Sequence, residues 1–235
     1  MEYSIAIPVY NEEMLLESAV QQLCSKLKEL GWSYELLLAE NGSTDRTRQI
    51  VEDLEKRLPQ VRAIHSGAPN YGLALKGAIE AARGTYMICD EIDICDTDFY
   101  ERAIALLESG KAEIVVGSKR HPDSRDERPW LRCLATAILN LLFNVLLKFD
   151  GTDTHGLKAF HRTRLLPVLK ECVLDKDLLI SEFVIRAQRA NYKYLEIPVH
   201  LKEKRRSSIH LFRRVPNVLK GLLRLVLVIR LNRKP

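Results

Sequence analysis

The sequence comprises 235 residues, 46% hydrophobic and 29% charged, which is the composition of an ordinary globular protein able to bury a sizeable core. Five scattered cysteines without a Cys-x-x-Cys pair disfavour a disulfide framework or zinc site and favour buried thiols in a reducing compartment. The net charge of +5 is uneven. Residues 201–235 carry eleven basic residues against one acid, a net +10, so residues 1–200 carry −5. We expect this basic tail to face an anionic partner.

The chain goes directly into a strand-like run and shows no pattern of a signal peptide. Its longest apolar run, residues 133–147, is shorter than the roughly 18 residues that a membrane-spanning helix requires. We therefore expect a cytoplasmic protein.

Short apolar runs alternate with segments of helical periodicity along the chain. Strands are predicted at residues 4–7, 34–38, 61–64, 85–89, 112–116, 157–160 and 194–199. Helices are predicted at residues 12–30, 44–57, 73–82, 97–107, 130–149, 177–189 and 213–231. This alternation predicts an α/β fold, a mostly parallel sheet with helices on both faces, followed by a C-terminal amphipathic helix. We assign residues 1–208 to the α/β domain and residues 209–235 to a basic helical tail.

Polar groups follow four of the predicted strands. They are Tyr10-Asn11-Glu12, Glu40-Asn41-Gly42-Ser43-Thr44-Asp45, Asp90-Glu91-Ile92-Asp93 and Gly117-Ser118-Lys119-Arg120. In parallel sheets the ligand lies outside the carboxyl ends of the strands, so these groups should share one edge. Acids for a metal and cations for phosphate at one edge suit a nucleotide-diphosphate substrate. Taken alone, Asn41-Gly42-Ser43 could equally be a plain turn and helix cap.

Three carboxylates, Asp90, Glu91 and Asp93, crowd into four residues after the fourth strand. Because like charges at this spacing repel each other, the cluster favours a counter-charge. Mg²⁺ and Mn²⁺ are bound by one or two carboxylates together with the phosphates of a substrate. The alternative is a solvated acidic turn before the next helix.

Further motifs occur in a recognisable order. They are Ile7-Pro8-Val9-Tyr10-Asn11-Glu12, Asn41-Gly42-Ser43-Thr44-Asp45, the acid cluster, Gly117-Ser118-Lys119-Arg120, Asn70-x-Gly72, Lys76-Gly77 and Asp153-Thr154-His155-Gly156-Leu157-Lys158. Over about residues 3–208 the chain resembles the inverting family 2 glycosyltransferases, which have the GT-A fold. Within that family it is most similar to the polyprenyl-phosphate hexosyltransferases, the dolichyl-phosphate mannose or glucose synthases. The motifs are specific for the family but not for the donor or the acceptor.

The resemblance implies a set of residues that contact a nucleotide-diphosphate sugar, a GDP- or UDP-hexose. The set consists of Pro8, Tyr10, Asn11, Glu12, Glu40, Asn41, Ser43, Asn70, Lys76 and Asp90. The acid pair of the family, two aspartates after the second strand, reads Glu40-Asn41 in this chain.

The resemblance also implies a metal site and a catalytic group. The family's Asp-x-Asp motif falls on Glu91-Ile92-Asp93, so Glu91 and Asp93 are the implied ligands of Mg²⁺ or Mn²⁺, with Asp90 as the alternative to Glu91. The family's acceptor-side turn appears one residue shorter and begins at Asp153. The expected cationic assistants of the leaving phosphate are Lys119, Arg120 and Arg206.

The chemistry of the acceptor decides what Asp153 has to do. A sugar or protein hydroxyl is hardly ionised near neutral pH and requires a general base, which would be Asp153 or His155. A phosphate acceptor has its second ionisation near about pH 6 and is already an anion at pH 7. In that case Asp153 would only orient the acceptor.

The predicted tail helix is rich in Leu and Val and carries Lys220, Arg224 and Arg230. This pattern fits a helix that lies in a membrane interface, and residues 130–149 could form a second such element. Alternatively, both helices pack on the body or on a second subunit of a homo-oligomer. Nucleic-acid binding is not expected, because the basic tail nearly lacks aromatic side chains.

The expected function is therefore metal-dependent transfer of a hexose to a polyprenyl phosphate, on the cytoplasmic face of a membrane with an anionic surface. One rival is a soluble glycosyltransferase that acts on a sugar or protein hydroxyl. A rival of another class is an inactive nucleotide-binding protein of the same fold.

Overall fold

The computed structural model describes residues 1–127, 129–176, 178–201 and 211–231. The strands are β1 Tyr3–Val9, β2 Tyr34–Glu40, β3 Val61–His65, β4 Tyr86–Cys89, β5 Ile114–Ser118, β6 Arg125–Asp126, β7 Lys158–His161, β8 Tyr194–Pro198 and β9 His200–Leu201. The helices are α1 Leu16–Glu29, α2 Thr47–Arg57, α3 Tyr71–Ala81, α4 Thr97–Glu108, α5 Trp130–Leu147, α6 Arg162–Lys170, α7 Leu179–Arg189 and α8 Leu211–Leu231.

Seven strands form one sheet in the order β3-β2-β1-β4-β7-β5-β8, in which only β7 runs antiparallel to its neighbours. β6 and β9 form a separate two-stranded ribbon. Because the other six strands are parallel, their carboxyl ends lie at one edge, and the turn that precedes β7 reaches the same edge. The prediction of a mostly parallel α/β sheet is confirmed.

Apolar side chains cover both faces of the sheet and form two cores. Helices α1, α2 and α4 pack on one face, and α3, α5, α6, α7 and α8 contribute to the core on the other. The tail helix buries Leu222, Leu225 and Ile229 in this second core and packs along α5. The proposed domain boundary at residue 208 lies outside the described residues and stays a prediction.

The structure differs from the sequence-based prediction at two prolines. Strand β1 continues through Pro8 instead of ending there, because β4 stops pairing at Ala6 and leaves β1 without a neighbour on that side. Helix α6, which contains Pro167, was not predicted. Helix α6 is stabilised by burial of Leu165, Val168 and Leu169. The sequence did not indicate a helix because the segment begins with polar residues and contains a proline.

None of the five cysteines, all of which lie within the described residues, forms a disulfide. Within the described ranges, no helix combines the length and apolar content needed to cross a bilayer.

Candidate active site at the carboxyl edge

The loops that follow β1 and β2 are hydrogen-bonded to each other. The Asn11 backbone lies in the left-handed region (φ +55°), which asparagine tolerates better than most residues. The Asn11 carboxamide oxygen accepts from the Thr44 N–H at 2.9 Å, and the Asn11 N–H donates to Ser43 Oγ at 3.1 Å. The adjacent Glu12 is buried, and its N–H donates to Thr47 Oγ1 at 2.7 Å.

The Glu40-Asn41 pair ties the loop after β2 to the loop after β3. Glu40 Oε1 accepts from the Ser43 N–H at 2.6 Å, and Oε2 lies 3.5 Å from His65 Nδ1. Asn41 Oδ1 accepts from the Asn70 N–H at 2.5 Å, while the Asn70 side chain caps α3 at the Leu73 N–H. An amide in place of the family's second aspartate therefore holds these two loops together.

The acid cluster after β4 divides into an interior and a half-buried part. Asp90 is 2% exposed, and its carboxylate accepts from Tyr100 OH at 2.6 Å and from the Asp96 N–H at 3.1 Å. Burial raises the pKa of Asp90 to about 7, although the Tyr100 hydrogen bond acts in the opposite direction. Glu91 and Asp93 are half-buried. These hydrogen bonds hold the Asp90 carboxylate in place. The contact of Asp90 with a nucleotide stays a prediction.

The turn before β7 holds Asp153 in the interior. Its carboxylate accepts from the His155 N–H at 2.8 Å and from the Lys119 N–H at 3.2 Å. Burial alone would raise the pKa of Asp153, but the charge of Lys119 and the His155 hydrogen bond lower it below its ordinary value. The turn is compact, because a Cβ on Gly156 would lie 1.8 Å from the Gly117 carbonyl oxygen.

Lys158 follows the Asp153 turn and pairs with Cys89 at the end of β4, next to the acid cluster, a position that the sequence did not single out. The side chain is 3% exposed, and its Nζ donates to the Gly156 carbonyl at 2.5 Å. Burial lowers the pKa of Lys158 to about 8, while the carboxylates of Asp153 and Glu91 act in the opposite direction. Its position in the Asp153–Lys158 motif was the available signal.

Glu196 on β8 is a second residue that sequence reasoning missed. Its carboxylate accepts from the Thr152 N–H at 2.7 Å, the Asp153 N–H at 3.1 Å and the Tyr194 hydroxyl. Thr152 Oγ1 also lies 2.6 Å from Ser118 Oγ at the end of β5. No signal in the sequence marks Glu196, because it is one polar residue in a strand.

Several predicted residues stand apart from these contacts. Pro8 is part of β1, and Lys76 lies half-buried on α3, where its charge acts on Cys172. The side chain of Arg120 is exposed. Arg206 lies outside the described residues.

The donor set fits a divalent ion that is shared with a substrate. Among the described residues, no group of three or more His, Cys, Asp or Glu side chains is arranged to hold a metal alone. Mg²⁺ is often held by one or two carboxylates plus substrate phosphates, so the half-buried Glu91 and Asp93 stay the predicted ligands.

The chain is similar in sequence to known glycosyltransferases. The chain is 30% identical over 219 residues to glycosyltransferase AglD of Haloferax volcanii, which covers 91% of this chain and 35% of that protein. It is 26% identical over 216 residues to a dolichyl-phosphate beta-glucosyltransferase of Dictyostelium discoideum, covering 85% of this chain and 66% of that protein. The chain thus spans about a third of the length of AglD.

The fold is similar to that of glucosyl-3-phosphoglycerate synthase from Mycobacterium tuberculosis in complex with Mn²⁺, UDP and phosphoglyceric acid. The TM-score is 0.71 at 17% sequence identity, with 97% of this chain and 78% of that chain covered. The sequence profile of Glycosyl transferase family 2 matches residues 4–166, which is more than half of the chain. The chain therefore belongs to glycosyl transferase family 2, and its mixed seven-stranded sheet is a GT-A-like fold.

Proposed function

We propose that this chain transfers a hexose from a nucleotide-diphosphate sugar to a polyprenyl phosphate at a membrane surface. Family membership supports glycosyl transfer, and the dolichyl-phosphate beta-glucosyltransferases among its relatives support the lipid acceptor. The observation that carries the choice of a lipid acceptor is the apolar outward face of α5.

The donor would bind across the loops that follow β1, β2 and β3. Asn11, Glu40 and Asn41 fix these loops relative to one another, so a nucleotide would meet a largely preformed surface. Tyr10 is half-buried beside them. The acid cluster and Lys119 would lie towards the diphosphate.

A divalent ion held by Glu91 and Asp93 would neutralise charge that develops on the leaving diphosphate. Lys119 and Lys158 add positive charge on the side of Asp153. Since burial brings the pKa of Lys158 to about 8, this ammonium is still mostly protonated at neutral pH.

Asp153 would orient the acceptor. Its carboxylate is ionised at neutral pH, because its pKa lies below the ordinary value. A phosphate acceptor is itself an anion at neutral pH and does not need a base. The two backbone N–H groups that hold Asp153 keep it in place beside Lys119.

Helix α5 exposes large apolar side chains along its whole length. The most exposed are Trp130 (71%), Leu134 (48%), Ile138 (50%), Leu141 (61%) and Val145 (65%). Their spacing of three or four residues places them on one stripe of the helix. The adjacent α8 exposes Leu219, Leu223 and Leu227. Contiguous exposed apolar surface of this kind is typical of a membrane or protein interface.

A polyprenyl chain is insoluble in water, so an enzyme that uses it has to meet the membrane. The α5 stripe and the α8 leucines could enter the interface while the basic residues of α8 remain among the lipid head groups. The same face could instead be covered by a second copy of the chain.

Two measurements test this proposal. A thermal-stability screen with UDP and GDP, with and without Mn²⁺, should give metal-dependent stabilisation by one nucleotide. Sedimentation with vesicles should be lost in Ile138→Glu/Leu141→Glu and kept in Leu30→Glu, which changes an apolar residue on the other face of the sheet. A wild-type protein that forms a stable dimer and ignores vesicles would contradict the membrane assignment.

A further inference from the structure

A cleft of about 230 Å³ lies between α8 and the segment that connects α6 to α7. Three basic side chains line it, Lys176 from the connecting segment and Lys220 and Arg224 from α8. The described lining also includes one acid, Asp175, and the amide of Asn217. Among the described residues that line the cleft, basic side chains therefore outnumber acids by two.

The wall opposite α8 is firmly held. The buried carboxylate of Glu182 accepts from the Val173 N–H at 3.0 Å and the Leu174 N–H at 2.8 Å, and it is paired with Arg186 Nε at 2.7 Å. These contacts fix the segment that leads into Lys176, so the cleft is a preformed feature.

Close packing also fixes the position of α8 against this wall. A Cβ on Gly221 would lie 3.2 Å from Leu178 Cδ1, so the helix backbone approaches the segment directly. Lys220 and Arg224 flank this contact one helical turn apart. Like charges at this spacing repel each other, which costs stability unless an anion lies between them.

Within the part of the chain that the structure describes, the three basic side chains that line the cleft, Lys176, Lys220 and Arg224, make no ion pair. Ammonium and guanidinium groups that line one cleft suit the oxygens of a phosphate.

The surroundings of the cleft indicate where the phosphate comes from. Leu219, Leu223 and Leu227 occupy the neighbouring exposed stripe of α8, and they are 48–61% exposed. If these leucines enter the acyl region of a membrane, Lys220 and Arg224 lie at the depth of the lipid phosphates. The cleft then joins a phosphate site to an apolar surface on one helix.

We propose that this cleft binds the phosphate of an anionic phospholipid head group and so fixes how the enzyme sits on the membrane. This inference rests on the membrane association proposed above. In this proposal Lys176, Lys220 and Arg224 bind a phospholipid of the surrounding membrane and do not bind the polyprenyl phosphate that reacts.

The test compares two charge-matched double variants. Lys220→Gln/Arg224→Gln alters the cleft, and Lys26→Gln/Lys28→Gln removes two exposed charges from α1, which packs on the other face of the sheet. Binding is measured to phosphatidylglycerol–phosphatidylcholine vesicles and to phosphatidylcholine vesicles alone. Thermal melting checks that each variant folds. If the cleft double variant does not fold, the single variants Lys220→Gln and Arg224→Gln replace it in the binding assay.

The cleft double variant should bind the anionic vesicles about 25-fold more weakly, since each basic residue near an anionic leaflet contributes about a fivefold factor. Each single variant should lose about fivefold by the same reasoning. Binding to phosphatidylcholine vesicles should not change. The α1 variant should change by less than about twofold, because its charges lie farther from the membrane than a Debye length.

Equal losses in the two double variants would overturn the inference, because they would reflect net charge alone. So would unchanged binding of the cleft variant. A raised KM for polyprenyl phosphate in detergent without phospholipid would also overturn it and would make the cleft part of the acceptor site. Intact selectivity for anionic vesicles without any transfer to polyprenyl phosphate would defeat the proposed function and leave the cleft assignment standing.

Discussion

Two fully buried carboxylates, Glu35 at the amino edge of the sheet and Asp153 at the carboxyl edge, have different surroundings. Glu35 accepts from Ser4 Oγ at 2.6 Å, the Arg83 N–H at 2.5 Å and Arg62 NH1 at 2.6 Å. Burial acts to raise the pKa of Glu35, but these three donors lower it below its ordinary value. The negative charge of the Glu35 carboxylate is balanced by the positive charge of the Arg62 guanidinium.

The Asp153 carboxylate lies in the field of two lysines, and neither of them makes a salt bridge with it in the described structure. The charges of Lys119 and Lys158 lower the pKa of Asp153. In turn, the carboxylates of Asp153 and Glu91 act to raise the pKa of Lys158. The buried carboxylate at the amino edge is therefore neutralised internally, whereas the carboxyl edge holds the cations and acids that we propose meet the charges of a substrate. A buried carboxylate stabilises the fold at one edge and serves the proposed chemistry at the other.

The largest effect is expected from Asp93→Ala at the carboxyl edge. Loss of a proposed metal ligand should lower the rate of divalent-dependent transfer by roughly a thousandfold, comparable with removing one group that stabilises developing charge. Steady-state transfer from the nucleotide sugar measures it, with Asp98→Ala on α4 as the matched control, since Asp98 is exposed beside Arg102. Retained activity in Asp93→Ala would remove Asp93 from the metal site.

Glu35→Gln should affect stability and leave the reaction unchanged. Breaking the buried pair with Arg62 should cost roughly 3 kcal/mol of the free energy of unfolding. Urea titration measures the loss, and kcat at a permissive temperature should stay within about twofold of wild type. A large fall in kcat without loss of stability would contradict the contrast between the two edges.

The pH dependence of the Glu35 effect follows from the direction of its pKa. Because the folded-state pKa is lowered, the stability advantage over Glu35→Gln should be complete above the unfolded-state pKa of about 4.3. It should then decline as the pH falls through the folded-state pKa. An advantage that grew on acidification would contradict the assigned ion pair.

Asp153→Asn should lower kcat for polyprenyl phosphate by about a hundredfold, since a misplaced acceptor typically costs about that factor. The residual rate should still rise with pH as the acceptor phosphate ionises near about pH 6. Stopped assays across pH 5–8 measure both. Complete loss at every pH would favour a general-base role and hence a hydroxyl acceptor.

The smallest effect is expected from Glu196→Gln, which touches the site only through the Asp153 turn. Weaker hydrogen bonds to the Thr152 and Asp153 N–H groups should lower kcat by about tenfold and leave the KM for the donor unchanged. Glu196→Asp, which keeps the charge, should recover part of the rate. A raised donor KM with normal kcat would assign Glu196 to the nucleotide instead.

Much of the fold could be predicted from periodicity and from the rule that ligands lie at carboxyl ends. The contacts among Asn11, Glu40, Asn41 and Asn70 bring together residues separated by about 60 positions, as that rule requires. Strand β7 was predicted as extended, but its antiparallel insertion between β4 and β5 depends on long-range pairing.

The remainder of the site depends on contacts that a local pattern does not contain. The sequence does not distinguish Asp90 from its two acidic neighbours. Its burial and its hydrogen bonds from the Tyr100 hydroxyl and the Asp96 N–H do so in the structure. Glu196 meets the Asp153 turn across 43 residues. Lys158 acquires its lowered pKa from burial, which a single basic residue in a motif does not reveal.

Hexose transfer to the lipid is tested most directly by following radiolabelled hexose from UDP- and GDP-sugars into the organic phase, with polyprenyl phosphate and Mn²⁺ present. We expect organic-phase label with one of the two nucleotides, only when polyprenyl phosphate and the divalent ion are both added, and we expect its loss in Asp93→Ala. Label that appears only on a water-soluble hydroxyl acceptor, or none with any donor, would contradict it.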